Sequence, residues 1–484
     1  FKLSNFMDLE LGDYVVHRDF GLSLYKGIKN KTINGSVVDF IECQFDLNDK
    51  LLIPIDKISL IQKYIGGNKS IRLDSLRSRS WIGKVKKAKR VAENVAREIL
   101  SLYAQRKSAD GFSYQINEKE IAEFEDRFEY QETRDQKNAI ISTYQDMQSS
   151  KPMDRLICGD VGFGKTEVAL RASFLASINS KQTVIIAPTT PLVHQHLNTF
   201  LRRFKDLPIK VEALSRFVKP KKVLMIQKEL AEGKIDIVVG TNKILSDKIK
   251  FKNLGLIIID EEHKFGVSAK EKIKKIKVGI DSLSLSATPI PRTLQLSLSG
   301  LRDISLIGTP PKERLGVETY IDKYNEEKIK KAIEHERERG GKVFFIHNEI
   351  KTIEKIFQVL KKLLPNEKID YVHGRMKSTD IENRLKQFID GDISILITTT
   401  IVESGLDIKT VNTMIINNAH NFGLSDLYQL RGRIGRGSVK GIAYLIIPDK
   451  EITDNAKKRL AAMKRLTKLG SGFNLALEDL EIRG

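Results

Sequence analysis

Cysteine is scarce in this chain: of 484 residues only Cys43 and Cys158 are cysteines, and they lie far apart. Two isolated cysteines exclude a disulfide framework and the paired spacing of a zinc site. The sequence also lacks any apolar run near the roughly 18 residues of a membrane span, and its first residues do not form a signal peptide. These absences predict a soluble protein of a reducing compartment, the cytoplasm.

Tandem repeats and low-complexity tracts are absent as well, whereas positive charge is in excess. Lys and Arg total 82 against 62 Asp and Glu, which gives a formal net charge of +20. This excess favours an acidic polymer such as nucleic acid as partner, although a basic solvated surface would give the same count. With 41% hydrophobic and 30% charged residues, a globular chain of this length predicts roughly two to four domains.

The first 67 residues show the pattern of a small β-domain. Apolar and polar side chains alternate over residues 12–65 between glycines, which predicts a small β-barrel at 1–67. Apolar positions then recur every three or four residues from Val85 to Leu102, which predicts a long amphipathic helix around 81–107 within a helical connector, 68–119. The basic face of this helix either touches phosphate or is solvated, and the sequence leaves both open.

From residue 120 onward, short aliphatic runs alternate with helical stretches, the pattern of parallel α/β structure. The pattern stops near Pro310 and Pro311 and then restarts at residue 342. We therefore expect two α/β lobes, at 120–309 and 310–455, followed by a final segment, 456–484. The expected fold class is α/β, with two parallel-sheet lobes after a small β-barrel and a long connecting helix.

A phosphate-binding loop follows the apolar residues 156–158 and precedes a helix-forming stretch. Its glycines let backbone N–H groups close around phosphate, Lys165 reaches the β and γ phosphates, and Thr166 offers a hydroxyl to Mg²⁺. A chance glycine-rich turn is the alternative, which the flanking strand and helix disfavour. The loop consists of Gly159, Asp160, Val161, Gly162, Phe163, Gly164, Lys165 and Thr166.

A pair of carboxylates stands directly after the buried strand predicted at 256–259. Ligands bind at the carboxyl ends of strands in open α/β sheets, so Asp260 is placed to hold Mg²⁺ and Glu261 to orient or deprotonate the attacking water. A solvated strand end is the alternative. Because a phosphate loop precedes the pair, we expect ATP and Mg²⁺ as cofactors.

The order of these motifs resembles that of superfamily 2 helicases and translocases, over residues 128–484. The resemblance implies further nucleotide contacts from Phe128, Gln136, Gly405 and Asp407. It also implies that the residues coupling hydrolysis to movement are His263, Ser286, Ala287, Thr288 and Gln429. The implied DNA contacts are Pro188, Thr189, Thr190, Gly240, Thr241, His373, Gly374, Thr399 and Thr400. Asn242 departs from the pattern, because relatives often have His there.

The segment 429–436 resembles the arginine-finger motif of the same superfamily. In it Arg433 and Arg436 would reach the γ phosphate from the second lobe and stabilise charge in the transition state. The implied catalytic residues are thus Lys165, Glu261, Arg433 and Arg436. Read alone, the segment is also a basic, glycine-punctuated loop that could grip a phosphate backbone.

Within the superfamily the chain most resembles the transcription-repair coupling factors, or Mfd family. The phosphate-loop context at 158–169 is similar, and residues 470–484 resemble a translocation motif shared with RecG. Residues 12–17 and 21–27 resemble a CarD-like, RNA-polymerase-interacting module, where RecG would have an oligonucleotide-binding wedge domain. The resemblance implies an ATP-dependent translocase on double-stranded DNA. It would bind the RNA polymerase β subunit through residues 1–67, displace stalled polymerase and couple transcription to nucleotide-excision repair.

Two alternatives to this function stay open. A RecG-like helicase that remodels branched DNA would share the translocation motif, and a strand-separating helicase would share every ATPase motif. The first residue is Phe1 and the last is Gly484, within the translocation motif, so we expect an internal fragment. The domains through which the family recruits UvrA, and its autoinhibitory domain, are expected to lie outside it.

Overall fold

The computed structural model covers both α/β lobes and most of the preceding β-domain. The chain divides into two compact units, Phe1–Leu102 together with Gly484, and Tyr103–Arg483. The long helix predicted around 81–107 lies outside the described residues, apart from Gly83, Lys86 and Arg90, which are helical. The described residues are 9, 11–33, 36–64, 73–76, 83, 86, 90, 109–216, 218–287, 302–311, 315–399, 408, 410–435 and 439–465.

The first unit contains a five-stranded antiparallel sheet. Its strands are β1 (Tyr14–His17), β2 (Gly21–Ile33), β3 (Ser36–Gln44), β4 (Lys50–Pro54) and β5 (Ile61–Lys63). Their order is β4-β3-β2-β1-β5. Burial alternates along β1, where Val15 and His17 are buried, because successive side chains of a strand point to opposite faces. This unit has its own hydrophobic core, built on Val15, Tyr25, Ile41, Cys43, Phe45, Ile53 and Ile61.

The second unit contains a seven-stranded parallel sheet. Its strands are β6 (Asp154–Gly159), β7 (Gln182–Ile186), β8 (Val211–Leu214), β9 (Ile237–Gly240), β10 (Leu254–Asp260), β11 (Asp281–Ser286) and β12 (Asp303–Ile307). The order is β12-β6-β11-β10-β7-β9-β8. Along β10, Ile258 packs in one core cluster and Ile257 and Ile259 pack in another. The sheet is therefore covered on both faces, as a parallel sheet requires.

Helices cover this first sheet. They are α1 (Glu118–Asp126), α2 (Arg134–Gln148), α3 (Lys165–Ile178), α4 (Thr190–Arg203), α5 (Pro220–Glu232) and α6 (Val267–Ile276). A capping box formed by Thr133 and Gln136 starts α2. Helix α3 is buried along most of its length. It is therefore a central helix, held in place by packing around it.

A second parallel sheet of six strands follows. Its strands are β13 (Val317–Lys323), β14 (Lys342–Ile346), β15 (Ile369–Val372), β16 (Ile395–Thr398), β17 (Val411–Ile416) and β18 (Gly441–Ile447), in the order β13-β18-β17-β14-β16-β15. Its helices are α7 (Glu326–Glu338), α8 (Ile353–Leu363), α9 (Ser378–Asp390), α10 (Leu424–Arg431) and α11 (Asp454–Arg465). Two hydrophobic clusters again flank the sheet.

These elements confirm the predicted fold class of two RecA-like parallel α/β lobes preceded by a small antiparallel β-domain. The first sheet ends at Ile307 and the second begins at Val317. Cys43 and Cys158 are both free and buried. Among the described helices, none has the length and apolar character that a membrane crossing requires.

Candidate active site

The loop after β6 carries the predicted phosphate-binding motif and leads directly into α3. Gly162 and Gly164 have φ angles of +82° and +79°, in the left-handed region that favours glycine. A Cβ atom on Gly164 would also collide with the side-chain amide of Gln136. The tight turn places the start of α3 at the end of β6, the arrangement in which free N–H groups bind phosphate.

Lys165 begins α3, and its ammonium group is held by the loop itself. Nζ donates to the carbonyl oxygens of Gly159 at 2.5 Å and Asp160 at 2.9 Å. Burial lowers the pKa of Lys165, and the charges of Glu261, Asp260 and Asp160 oppose that shift. Three acidic side chains therefore act on one buried cation at the carboxyl edge of the sheet.

Glu261 is placed by a strained turn directly after β10. Its φ is +50°, a left-handed conformation that costs a non-glycine residue roughly 1–3 kcal/mol. Oε1 accepts a hydrogen bond from the Ala287 N–H at 3.1 Å, whereas the buried Oε2 makes no hydrogen bond to any described residue. Burial, and then the charge of Asp260, raises the pKa of Glu261. A buried carboxylate oxygen in this state is suited to accept a proton from water.

Asp260 ends β10, and a histidine of α4 holds its carboxylate. Nε2 of His196 lies 2.9 Å from Oδ2 of Asp260. Burial by itself would raise the pKa of Asp260, but His196, Lys165 and Arg433 together lower it. Asp260 is therefore ionised, and His196 donates the hydrogen bond.

The predicted magnesium ligands are Asp260 and the hydroxyl of Thr166, in the first turn of α3. Both offer hard oxygen atoms, which Mg²⁺ prefers. Within the described parts of the chain, no group of three or more His, Cys, Asp or Glu could hold a metal ion. The two residues fit a Mg²⁺ ion that completes its shell with nucleotide phosphate and water, because Mg²⁺ seldom occupies a cage made of protein ligands alone.

Glu262, the second glutamate of the motif, has a different environment from Glu261. Its Oε2 accepts a hydrogen bond from Ser284 at 2.9 Å and lies 3.4 Å from Nζ of Lys277 and 3.3 Å from a guanidinium nitrogen of Arg302. Burial would raise the pKa of Glu262, but these cations lower it to about 2. Glu262 is therefore a structural residue that is charged at neutral pH.

Of the residues predicted to couple hydrolysis to movement, His263 and Ala287 contact Glu261. Nδ1 of His263 lies 3.4 Å from Oε2 of Glu261. Burial, reinforced by nearby lysines, lowers the pKa of His263 to about 4, so the pair is not an ion pair at neutral pH. Ser286 is buried at the end of β11. Ala287 follows it and donates its N–H to Oε1 of Glu261. Thr288 lies outside the described residues.

Of the two residues predicted to contact adenine, Phe128 and Gln136, the structure places Gln136 against the phosphate loop. Oε1 of Gln136 accepts from the Thr133 N–H at 2.9 Å, and its Nε2 donates to the carbonyl of Phe163 at 2.8 Å. The Phe128 ring lies 5.8 Å from the guanidinium of Arg171. Gln136 thus joins the start of α2 to the loop. Its contact with a base stays a prediction.

The second lobe reaches this site through α10 and the residues that follow it. The Tyr428 hydroxyl donates a hydrogen bond to Oδ2 of Asp160 in the phosphate loop. Arg433 is buried, and its charge contributes to the low pKa of Asp260. Gln429 is buried on α10. The structure therefore brings one of the two predicted arginine fingers to the carboxylates of the first lobe.

The predicted DNA-contacting residues that the structure describes lie at or just after the carboxyl ends of strands in the two sheets. In the first sheet, the nucleotide motifs follow β6, β11 and β10, and the next two strands in the order are β7 and β9. The residues after β7 and at the end of β9 are Pro188, Thr189, Thr190, Gly240 and Thr241. In the second sheet, those after β15 and β16 are His373, Gly374 and Thr399. Their contact with DNA stays a prediction.

Some predicted features lie outside the described residues. They are Thr288, Thr400, Gly405, Asp407 and Arg436, together with residues 466–484, which include the whole stretch, 470–484, that resembles a translocation motif.

Sequence reasoning missed three residues that organise the site: His196, Tyr428 and Asp135. Asp135, in the first turn of α2, accepts hydrogen bonds from the N–H groups of Gly308 and Thr309 at 3.0 and 2.8 Å. It thereby anchors the segment that leaves β12. Local pattern could place His196 on the apolar face of a helix, but it could not indicate a partner on another strand.

Three protein-family models match the chain. A DEAD/DEAH box helicase domain matches residues 133–296, and a helicase conserved C-terminal domain matches residues 325–438. A CarD-like/TRCF RID domain matches residues 9–65. The first two matches fall on the two parallel lobes, and the third falls on the antiparallel sheet.

Curated relatives match over the whole chain. The transcription-repair-coupling factor of Borreliella burgdorferi is 47% identical over 100% of this chain and 43% of that protein. Its counterpart in Bacillus subtilis is 44% identical over 100% of this chain and 41% of that protein. The chain therefore spans about two fifths of the length of these relatives.

Solved structures share the architecture. A structure of RecG bound to a three-way DNA junction has a TM-score of 0.66 and 25% identity, over 95% of this chain and 74% of that chain. The Mycobacterium smegmatis helicase Lhr, bound to ssDNA and AMP-PNP, has a TM-score of 0.54 and 15% identity over 72% of this chain and 50% of that chain, which shows the fold alone. Because the chain is 44–47% identical to curated coupling factors over its whole length and has both helicase domains and a CarD-like domain, it belongs to the transcription-repair-coupling factor family.

Proposed function

We propose that the chain is an ATP-driven motor that moves along double-stranded DNA and displaces a stalled RNA polymerase held by residues 1–67. One observation supports the ATPase activity most strongly. Lys165, Asp260 and Glu261 of the first lobe lie close enough to Arg433 of the second lobe for its charge to affect their pKa values. A phosphate-binding lysine, a metal carboxylate, a base and an arginine are the parts that phosphoryl transfer requires.

Each of these side chains has a distinct role in the proposed reaction. The phosphate loop binds the nucleotide, and Lys165 exchanges its two loop carbonyls for phosphate oxygens. Mg²⁺, held by Asp260 and Thr166, supplies positive charge to the phosphates. Glu261 orients the attacking water and accepts its proton at Oε2, which makes no hydrogen bond to a described residue. Arg433 stabilises the charge that spreads over the transferring phosphoryl group.

Contacts within and between the lobes supply a route from hydrolysis to movement. Glu261 accepts a hydrogen bond from the N–H of Ala287, so a shift of Glu261 caused by a change at the γ phosphate would act directly on the segment that begins at Ala287 after β11. Tyr428 binds Asp160, so the position of the second lobe depends on the state of the phosphate loop. Alternating tight and loose contact between the lobes would then move the DNA-contacting strand ends relative to one another.

Double-stranded DNA and RNA polymerase are proposed as partners on separate grounds. The net charge of +20 favours a nucleic acid, and RecG, which has the same architecture, was solved on a three-way DNA junction. The CarD-like/TRCF RID match at 9–65 and the identity to coupling factors support the polymerase. A RecG-like activity on branched DNA is the second candidate, favoured by the structural likeness over 95% of the chain.

ATP hydrolysis with duplex DNA, with single-stranded DNA and without DNA tests the motor. We expect the largest stimulation with duplex, together with displacement of a triplex-forming third strand and no separation of a plain duplex. Stimulation by single strands alone, with separation of the duplex, would show a strand-separating helicase. Preference for a three-way junction over linear duplex would favour the RecG-like candidate.

A further inference from the structure

We propose that His196 is a positioning residue that fixes the carboxylate of Asp260 and links it to the proposed DNA-contacting segment. This inference rests on the proposed ATPase function. Nε2 of His196 lies 2.9 Å from Oδ2 of Asp260, and the two side chains are only 7% and 13% exposed. The contact joins α4 to the carboxyl end of β10, 64 residues apart in sequence.

The hydrogen bond determines which oxygen of Asp260 remains available. The terminal torsion of an aspartate has a broad energy well, so an unsupported carboxylate rotates easily. A donor on Oδ2 fixes the carboxylate plane and leaves Oδ1 to bind Mg²⁺ or a water molecule of its shell. Hydrogen bonds to metal-ligating carboxylates typically affect metal affinity by roughly 10- to 100-fold.

The position of His196 on α4 supplies the link to DNA. Helix α4 begins at Thr190, and its buried face carries Leu192, Val193, His196 and Phe200. His196 lies six positions after Thr190, which is about 9 Å along a helix. Thr190 and His196 belong to one continuous packed helix, so a displacement of its first turn by DNA would be transmitted along the helix to the donor to Asp260.

Two variants of one chemical type separate this role from simple core packing. His196→Gln keeps an amide donor at about the reach of Nε2, whereas His196→Asn is one methylene shorter and cannot reach Asp260. Both place a neutral amide in the same buried position, so a purely structural requirement penalises both. His194→Asn, at an exposed position of the same helix, is the control for metal binding.

The first readout requires no turnover. Electron paramagnetic resonance measures the affinity of Mn²⁺ for the full chain in the presence of ADP. We expect His196→Asn to lower the affinity for Mn²⁺ by about 10-fold or more. The affinity of His196→Gln should stay within about 3-fold of that of the unaltered chain, and His194→Asn should have the same affinity as the unaltered chain. The second readout is hydrolysis at saturating Mg²⁺, where stimulation by duplex DNA should fall in His196→Asn and persist in His196→Gln.

Equal behaviour of the Asn and Gln variants, whether both match the unaltered chain or both lose affinity, would overturn the positioning role of His196. Unchanged DNA stimulation in His196→Asn would overturn the link to the DNA-contacting segment. If the unaltered chain bound no Mn²⁺ with ADP, the proposed ATPase function would fail and this inference would fail with it.

Discussion

Glu261 and Glu262 are neighbouring glutamates whose environments push their pKa values in opposite directions. Glu261 is buried beside Asp260, which raises its pKa, and one of its oxygens makes no hydrogen bond to a described residue. Glu262 is also buried, but Lys277 and Arg302 lower its pKa to about 2. The same side chain is therefore suited to proton transfer at one position and to fold stability at the next.

We predict that Glu261→Gln binds nucleotide normally but hydrolyses ATP roughly 10²- to 10⁴-fold more slowly, because the attacking water loses its base. Glu262→Gln is the matched control, since it removes the same charge one residue away. Steady-state hydrolysis and binding of a fluorescent ATP analogue measure both effects. Equal hydrolysis by the two variants would remove the catalytic assignment of Glu261.

For Glu262→Gln itself we predict a loss of stability of roughly 1–3 kcal/mol at neutral pH, because Lys277 and Arg302 lose one charged partner and retain the other, Asp154. The pKa of Glu262 falls from 4.5 to about 2 on folding. The contribution of Glu262 to the free energy of unfolding is therefore complete above about pH 4.5 and disappears as pH falls towards 2. Urea denaturation at several pH values measures it, and a difference from the unaltered chain that persisted at pH 2 would contradict this account.

At the scale of elements, α10 is where the second lobe meets the phosphate loop. Tyr428 binds Asp160 from this helix. Gly432 comes directly after the helix and packs against the phosphate loop. A Cβ atom added to Gly432 would lie 3.4 Å from the Cβ of Val161. Arg433 comes next in the chain. One helix therefore sets both the spacing of the lobes and the position of the arginine.

We predict that Tyr428→Phe lowers kcat/KM for ATP hydrolysis by up to about tenfold, the effect of one lost hydrogen bond that orients the arginine. Tyr320→Phe is the control, because Tyr320 is a half-exposed tyrosine of the same lobe whose hydroxyl binds Glu318 instead. Both variants keep their rings, so packing is little changed. Unaltered kcat/KM in Tyr428→Phe would show that the contact does not persist during turnover.

At the scale of the whole molecule, the β-domain and the motor are separable units. The β-domain has its own core around Val15, Ile41 and Phe45, and it belongs to a different compact unit from the two lobes. Its strand order leaves β4 and β5 at the ends of the sheet. Because a strand at the end of a sheet can pair with a further strand, we propose that β4 is the strand that a polymerase segment would pair with.

We predict that deletion of residues 1–67 leaves DNA-stimulated ATP hydrolysis within about twofold of the full chain but abolishes displacement of a stalled RNA polymerase. All described groups of the hydrolytic site lie in the second unit, so removing the β-domain takes none of them away. An ATPase assay beside a displacement assay tests this. Displacement by the shortened chain would favour the RecG-like function.

The local motifs could be predicted from the sequence because each is made by neighbouring residues. The turn at Gly162 and Gly164 and the placement of Asp260 at a strand end follow from short-range geometry and from the buried run before it. Alternation in the first 67 residues and aliphatic runs in the lobes likewise predicted the fold class. Sequence alone therefore determined the nature of the site: a phosphate loop, a metal carboxylate and a base on a parallel sheet.

The tertiary structure decided which of these residues act on one another. His196 meets Asp260 across 64 residues, Asp135 meets Thr309 across 174, and Tyr428 meets Asp160 across 268. No periodicity encodes such pairs, because they depend on strand order and on the packing of whole helices. The contrast between Glu261 and Glu262 depends on folding as well. Burial, together with the charge of the preceding residue Asp260, raises the pKa of Glu261, whereas the Lys277 and Arg302 cations that lower the pKa of Glu262 reach the end of β10 only when the chain folds.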